Sequence, residues 1–309
     1  MKPVSASAPP ASLRALLNRL IDYAGLFPPA KLDMATTVSN YAKYLKSPDS
    51  WMMGRLIVPV SRLEELEREA EALLPRELDG EFEPWQISAL VAEAEGAPLE
   101  RDLAAIEAFN QRHEDEGAGL AIIDVVELKG ESPAAIDDAL ELISDDYFAF
   151  FEAPIDRDPR GLIAALVDGD AGAKVRTGGA TADAYPAPEH LARFIAACAA
   201  ANVPFKATAG LHHPFRHESA AIKAREFGFL NVFVAGCLAQ THELAASELV
   251  QLLEEESLAA FTIDDEGIEW NGHRIRTENI EDVREEFAVS FGSCSFDEPR
   301  EGLRTLKLL

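Results

Sequence analysis

The feature that most limits the folds open to this chain is an alternation of short apolar runs with longer amphipathic ones. It begins near residue 54 and persists through most of the remaining sequence. Short runs of branched and aromatic residues read as strands buried on both faces, the kind found in parallel sheets covered by helices. In order, these strands fall at 54–60, 86–91, 120–128, 147–152, 173–177, 205–209, 230–235 and 260–264. The helices that follow them fall at 61–74, 99–112, 133–143, 159–166, 188–201, 217–227, 242–255 and 280–287. Ser61 with Glu64 forms a capping box, and Ser132-Pro133 is a helix start. Eight such units, at a spacing of roughly 30 residues, predict an α/β fold of the (β/α)8 barrel type. An open doubly wound sheet competes with it. That fold favours a glycine-rich turn after its first strand, and Val58-Pro59-Val60-Ser61 has no glycine.

Before the alternation, residues 11–23 read as an amphipathic helix with Leu13, Leu16, Leu17, Leu20 and Ile21 on one face. Gly25 stops it and Phe27-Pro28-Pro29 forbids continuation. A second helix follows at 34–45. Residues 1–50 are therefore expected to form a tail and helical extension packed on the barrel, with the barrel itself spanning 51–309. Asn271-Gly272 signals a small β-hairpin inserted after strand eight. The stretch 291–296 has no helical or strand period.

Acidic residues outnumber basic ones by 54 to 28, a formal charge of -26. So acidic a surface repels phosphate backbones and anionic lipid heads, so neither nucleic acid nor membrane is expected as a partner. Three scattered cysteines make neither a disulfide framework nor a metal knuckle, and no apolar run reaches membrane-spanning length. The expectation is a cytoplasmic protein acting on a small anionic molecule, with a homo-oligomer left open.

Against that acidic background two segments stand out, Lys174-Val175-Arg176-Thr177-Gly178 and Lys206-Ala207-Thr208-Ala209-Gly210. Each is a buried strand ending in glycine, with a lysine four residues before it. A buried cation is costly unless paired, so cations near the ends of two neighbouring strands suggest a site. Side chains alternate along a strand, which puts Lys174 with Arg176 on one face and Lys206 with Thr208 on one face. Those faces are expected to point into the barrel mouth, because Val175, Phe205 and Ala207 suit contact with helices. Two neighbouring ammonium groups lower each other's pKa, as Schiff-base chemistry requires. Lys206 is the expected nucleophile and Lys174 the perturbing cation. Arg176 is the anchor for a carboxylate or phosphate, and Glu152 the acid–base partner. His212 is a rim proton shuttle, with His213, Thr208, Glu127 and Asn231 as further substrate contacts. A layer of salt bridges joining Glu127 or Glu152 to Lys174 or Arg176 is the purely structural alternative.

The segment Lys206-Ala207-Thr208-Ala209-Gly210 resembles the Schiff-base lysine strand of class I aldolases such as the deoxyribose-phosphate aldolases. Those enzymes carry that lysine on the sixth barrel strand, which is also its position in the count above, and a second lysine on the strand that follows. Here the following run carries Asn231, and the second lysine, Lys174, comes earlier. The resemblance implies a lyase that needs no cofactor. Two other readings stay open. Glu93, Glu127 and Glu152, at successive strand ends, are carboxylates that suit Mg or Mn in a metal-assisted isomerase or lyase. A barrel that binds an anionic ligand without turning it over is the third.

Overall fold

The protein, seen in a computed structural model, is described over residues 8–76, 83–92, 96–114, 117–167, 169 and 171–309. The elements run α1 (Ala11–Leu17), β1 (Ile21–Tyr23), α2 (Met34–Leu45), β2 (Met53–Pro59), α3 (Leu63–Ala70), β3 (Trp85–Leu90) and α4 (Gly96–His113). Next come β4 (Ala121–Lys129), α5 (Pro133–Leu140), β5 (Phe148–Ala153), α6 (Arg160–Ala164), β6 (Ala171–Arg176), α7 (Pro188–Ala201) and β7 (Phe205–Thr208). After a small hairpin, β8 (His217–Ser219) and β9 (Ala224–Glu226), the chain forms α8 (Phe229–Thr241) and α9 (Ala246–Leu253). It ends with β10 (Phe261–Ile263), β11 (Gly267–Trp270), β12 (His273–Arg276), α10 (Thr277–Glu286), β13 (Ala288–Ser293) and α11 (Asp297–Thr305). Strands β1 to β7 and β13 close into a parallel barrel in the order β1-β13-β7-β6-β5-β4-β3-β2.

The (β/α)8 architecture is therefore present, with a different first and last stave. The barrel opens on Ile21–Tyr23, inside the segment expected to be a helical extension, because α1 stops at Leu17 and Arg19 takes a positive φ of 50°. Ile21 then pairs with Phe291 on one side and Met53 on the other. Residues 230–235, expected as strand seven, are the first half of helix α8, which is buried on every side through Leu238. Residues 261–263 belong to a separate antiparallel sheet with β11 and β12. The Asn271-Gly272 turn joins β11 and β12 with both φ values positive, as a type I′ turn requires. The closing stave is Ala288–Ser293, which lies beside β7 and β1.

Phe205 faces outward between Phe194, Phe233 and Phe287, and Phe291 stacks on Phe229. The alternate residues of these strands therefore face the interior. Gly172 is small because the Phe150 ring crosses the barrel there; a Cβ on residue 172 would lie 2.6 Å from that ring. Large and small side chains are thus matched across the interior, as a packed barrel demands.

Helix α1, which leads into the first stave, is tied to the last stave by one guanidinium. Arg284, fully buried, donates to the carbonyls of Leu16, Asn18, Ala288 and Val289 and lies over Phe233. Burial without a carboxylate partner pulls its pKa down to about 10. Replacing it in Arg284→Met leaves those four carbonyls without their charged donor. The variant should lose about 3 kcal/mol of stability, read as a lower urea midpoint at unchanged m-value. An unchanged midpoint would mean that barrel closure does not rest on this residue.

Candidate active site

Strands β6 and β7 are paired with Lys174 opposite Lys206, and β5 sets Glu152 opposite Lys174. All three side chains share the interior face. The lysines do not touch each other; one carboxylate stands between them. Glu127 on β4 accepts from Lys206 Nζ through Oε1 at 2.7 Å and from Lys174 Nζ through Oε2 at 2.9 Å. Lys206 also binds Asp22 Oδ2 at 2.8 Å, and Lys174 binds Glu152 Oε2 at 2.9 Å. Arg176 closes the series on Glu152 Oε1 at 3.2 Å.

The result is a line of alternating charge across the barrel: Asp22, Lys206, Glu127, Lys174, Glu152, Arg176. Side-chain exposure rises along it. It is 1% for Asp22 and Lys206, 2% for Glu127, 6% for Lys174, 19% for Glu152 and 48% for Arg176. One end is sealed and the other is wet. Hydroxyl groups hold the sealed end: Ser88 Oγ donates to Glu127 Oε1 and Ser290 Oγ to Asp22 Oδ2, both at 2.7 Å. The Arg55 backbone N–H completes Asp22 through Oδ1. Beyond Lys206, on the amino side of the barrel, lies a cavity of about 310 Å³ lined by Phe148, Phe150, Pro204, Val289 and Glu286.

The electrostatics reverse one expectation. Burial alone drives both lysines toward the neutral amine, but the carboxylates on either side outweigh it, and both pKa values are raised. Burial likewise pushes Glu127 up, and Lys174 and Lys206 more than reverse this, holding its carboxyl well below the usual range. Glu152 is lowered for the same reason, with Lys174 and Arg176 opposing its burial. The mutual depression expected of two adjacent ammonium groups does not occur, because anions are interleaved between them.

The other expected site residues divide. Thr208 lies at the end of β7, opposite Arg176 in register. His212 and His213 follow in the loop. His212 Nδ1 is 2.8 Å from Glu298 on α11, and the His213 ring meets His217 edge-on at 4.1 Å. Burial lowers the His213 pKa. Among the described residues, neither ring bonds to the two lysines. Asn231 does not reach the barrel mouth. It sits in α8, where its amide accepts from the Arg216 N–H and donates to the carbonyls of Leu252 and Glu255. Its expected role as a substrate contact fails because 230–235 is helix, and its polar atoms are spent on backbone. Glu93 lies outside the described residues. Among the described residues no group of three or more His, Cys, Asp or Glu side chains is arranged to hold a metal ion.

Sequence reasoning missed Ser88 and Ser290 and misplaced Asp22, which it set at the end of a helix over 11–23. The signal was present for Asp22: a lone acid between Leu20, Ile21 and Tyr23, all buried. No protein-family model matches the chain, and no curated protein matches it. No helix among the described residues is long and apolar enough to cross a membrane.

Glu127→Gln removes the anion shared by both lysines and leaves two buried cations underpaired. A loss of about 3–5 kcal/mol is expected. The linkage has a definite window. The depressed carboxyl pKa values contribute stability that is complete above an unfolded-state pKa of about 4.3 and is lost as pH falls through the folded values. The raised lysine values contribute stability that is complete below about 10.4 and is lost as pH rises through the folded values. Urea unfolding across pH should show a plateau between these limits in the parent protein. In Glu127→Gln the folded lysine values fall back toward the unfolded one, so the alkaline loss should shrink, and an unchanged alkaline limb would count against the pairing.

Proposed function

We propose that the protein is a lyase of the aldolase kind that forms a Schiff base with a small, anionic, carbonyl-bearing metabolite. The observation that carries this reading is a lysine near the rim, Lys174, bonded to one carboxylate shared with a second lysine and to another that an arginine also holds. With Ile21–Tyr23 counted as the first stave, Lys174 is on the sixth and Lys206 on the seventh. That is the order in which class I aldolases carry their Schiff-base lysine and its companion. The nucleophile is accordingly Lys174, the more exposed of the two, and Lys206 is the fixed cation behind Glu127.

A resting ammonium cannot attack a carbonyl, so the reaction needs a trigger, and Arg176 supplies one. At rest its guanidinium is shared with Glu152. A substrate carboxylate or phosphate draws Arg176 to itself, and Glu152 loses one of its two cations. The proton affinity of Glu152 rises, and it takes a proton from Lys174 Nζ, 2.9 Å away. The freed lone pair adds to the substrate carbonyl carbon. One of the two remaining amine protons passes to the new oxyanion, Glu152 returns its proton to the resulting hydroxyl, water leaves, and an iminium ion remains. Its positive charge faces Glu127 in a low-dielectric interior, where an anion stabilises it most. The metal-assisted alternative asks Glu127 to offer lone pairs that three hydrogen bonds already occupy. A reducing cytoplasm suits the three free, buried cysteines. The partners in this reading are the substrate and, where copies associate, further copies of this chain.

Borohydride reduction in the presence of small 2-oxoacids and phosphorylated aldehydes tests the proposal. Peptide mass mapping should find the reduced adduct on Lys174. Arg176→Gln should lower the trapping rate by about tenfold at limiting substrate, from loss of one charged hydrogen bond. An adduct on Lys206 reverses the assigned roles, and no adduct on either lysine across the panel rejects the Schiff base.

A further inference from the structure

The loop after β7 contains an arginine that the barrel site does not use. In a chain with nearly twice as many acids as bases, every guanidinium has carboxylates to choose from. Arg216 nevertheless has none within 4 Å among the described residues. Its residue surface is 6% exposed, and its Nε and Nη1 are fully buried with no hydrogen-bond partner. The guanidinium lies over the Phe227 ring at 4.5 Å, which supports one flat face and leaves the N–H edge to find acceptors elsewhere.

Its charged surroundings do not neutralise it. The like charge that acts on it is Arg225, whose own partner is Glu256 at the surface; Glu254 and Glu189 act only at a distance. The hairpin accounts for the grouping. His217 is paired with Glu226 and Glu218 with Arg225. Alternation sends Arg216, Glu218, Arg225 and Phe227 to one side of the ribbon, with Glu218 opposite Arg225, and His217 and Glu226 to the other. His217 meets the His213 ring, so the arginine face is turned away from that cluster. Glu189 in the first turn of α7 and Glu254 just past α9 flank the arginine face. The backbone at residue 216 is independently fixed, because its N–H donates to Asn231 Oδ1. The guanidinium itself is not needed to hold the loop.

An unpaired buried guanidinium costs several kcal/mol relative to a paired one, so its retention calls for an acceptor. We infer that Arg216 and Arg225 form an oxyanion-binding site on the outer face of the β8–β9 hairpin, separate from the barrel mouth, that takes a phosphate or carboxylate group. The in-plane fork of Arg216 supplies paired donors to such a group and Arg225 the second charge, with Glu256 exchanging its partner for solvent. This inference stands on Arg216 and its neighbours and does not depend on the Schiff-base reading.

The test is calorimetric titration of the whole protein with inorganic phosphate and, in a second arm, with acetate, at constant ionic strength. Saturable binding of one or both anions is expected, and the arms distinguish a phosphate site from a carboxylate site. Arg216→Gln should weaken it by about tenfold or more and Arg225→Gln by a few-fold, while Arg276→Gln, at an exposed arginine outside both sites, leaves it unchanged. Unchanged affinity in Arg216→Gln, or affinity lost only in Arg176→Gln, overturns the proposal by assigning the anion to the mouth. Absence of saturation with either anion also overturns it. Should Arg216→Gln fail to fold, the exposed Arg225→Gln carries the same decision.

Discussion

One carboxylate, that of Glu127, is the constraint around which the interior of this barrel is arranged. Two lysines on adjacent staves would repel each other in a low-dielectric core. Placed on the two oxygens of a single anion, they become the pair that keeps it ionised. The further carboxylates, Asp22 and Glu152, then balance the lysines individually, and Arg176 balances Glu152. Three anions and three cations alternate, so the barrel carries the series without net charge. Removing any member exposes its neighbour's full desolvation cost, whereas the intact series is close to neutral energetically. Such an arrangement is a weak source of stability and a strong source of geometric definition.

The fold serves this series by supplying levels. Parallel register puts Glu152, Lys174 and Lys206 at one height, and Ser290 on the closing stave continues that level. Below it, Phe150 fills the interior against Gly172. Asp22 reaches the series only because a three-residue stave passes between β2 and β13, and α1 is anchored to β13 through Arg284. The gradient from sealed to wet follows from this construction. A reaction that must move a proton from a buried amine toward a carboxylate near solvent has its donor and acceptor already in contact.

Much of the fold was legible because six of the eight staves are long apolar runs followed by helices with clear start signals. The two that were missed have physical reasons. Leu20 and Ile21 continue the helical spacing of Leu13, Leu16 and Leu17 although the chain has already turned at Arg19, so periodicity ran past the true helix end. Apart from Asn231, residues 230–235 are apolar because α8 is buried on every side there, and a short window of such sequence reads equally as strand. The miscount moved Lys174 and Lys206 down by one stave, which hid the order of the two lysines. Their convergence was legible, since a cation inside an apolar run has few uses. The partner set was only half legible. Glu127 and Glu152 sit in strands and declared themselves, but Asp22 fell in the last turn of an apparent helix. Ser88 and Ser290 are too small and too common in strands to signal a hydrogen bond. The sign of the lysine pKa shifts was wrong for the same reason: without Asp22, and with Glu127 read as a substrate contact, the cations looked under-neutralised.

The measurement that bears most directly on this account is a pH titration of the side-chain nitrogens of Lys174 and Lys206 by NMR, in protein with isotope-labelled lysine. Interleaved carboxylates predict that both remain ammonium ions past the point where exposed lysines lose their proton, about pH 10.4. They also predict that Glu127→Gln brings both titrations down together. Either lysine titrating near neutral pH in the parent protein would contradict the account, as would a Glu127→Gln variant that moves only one of them.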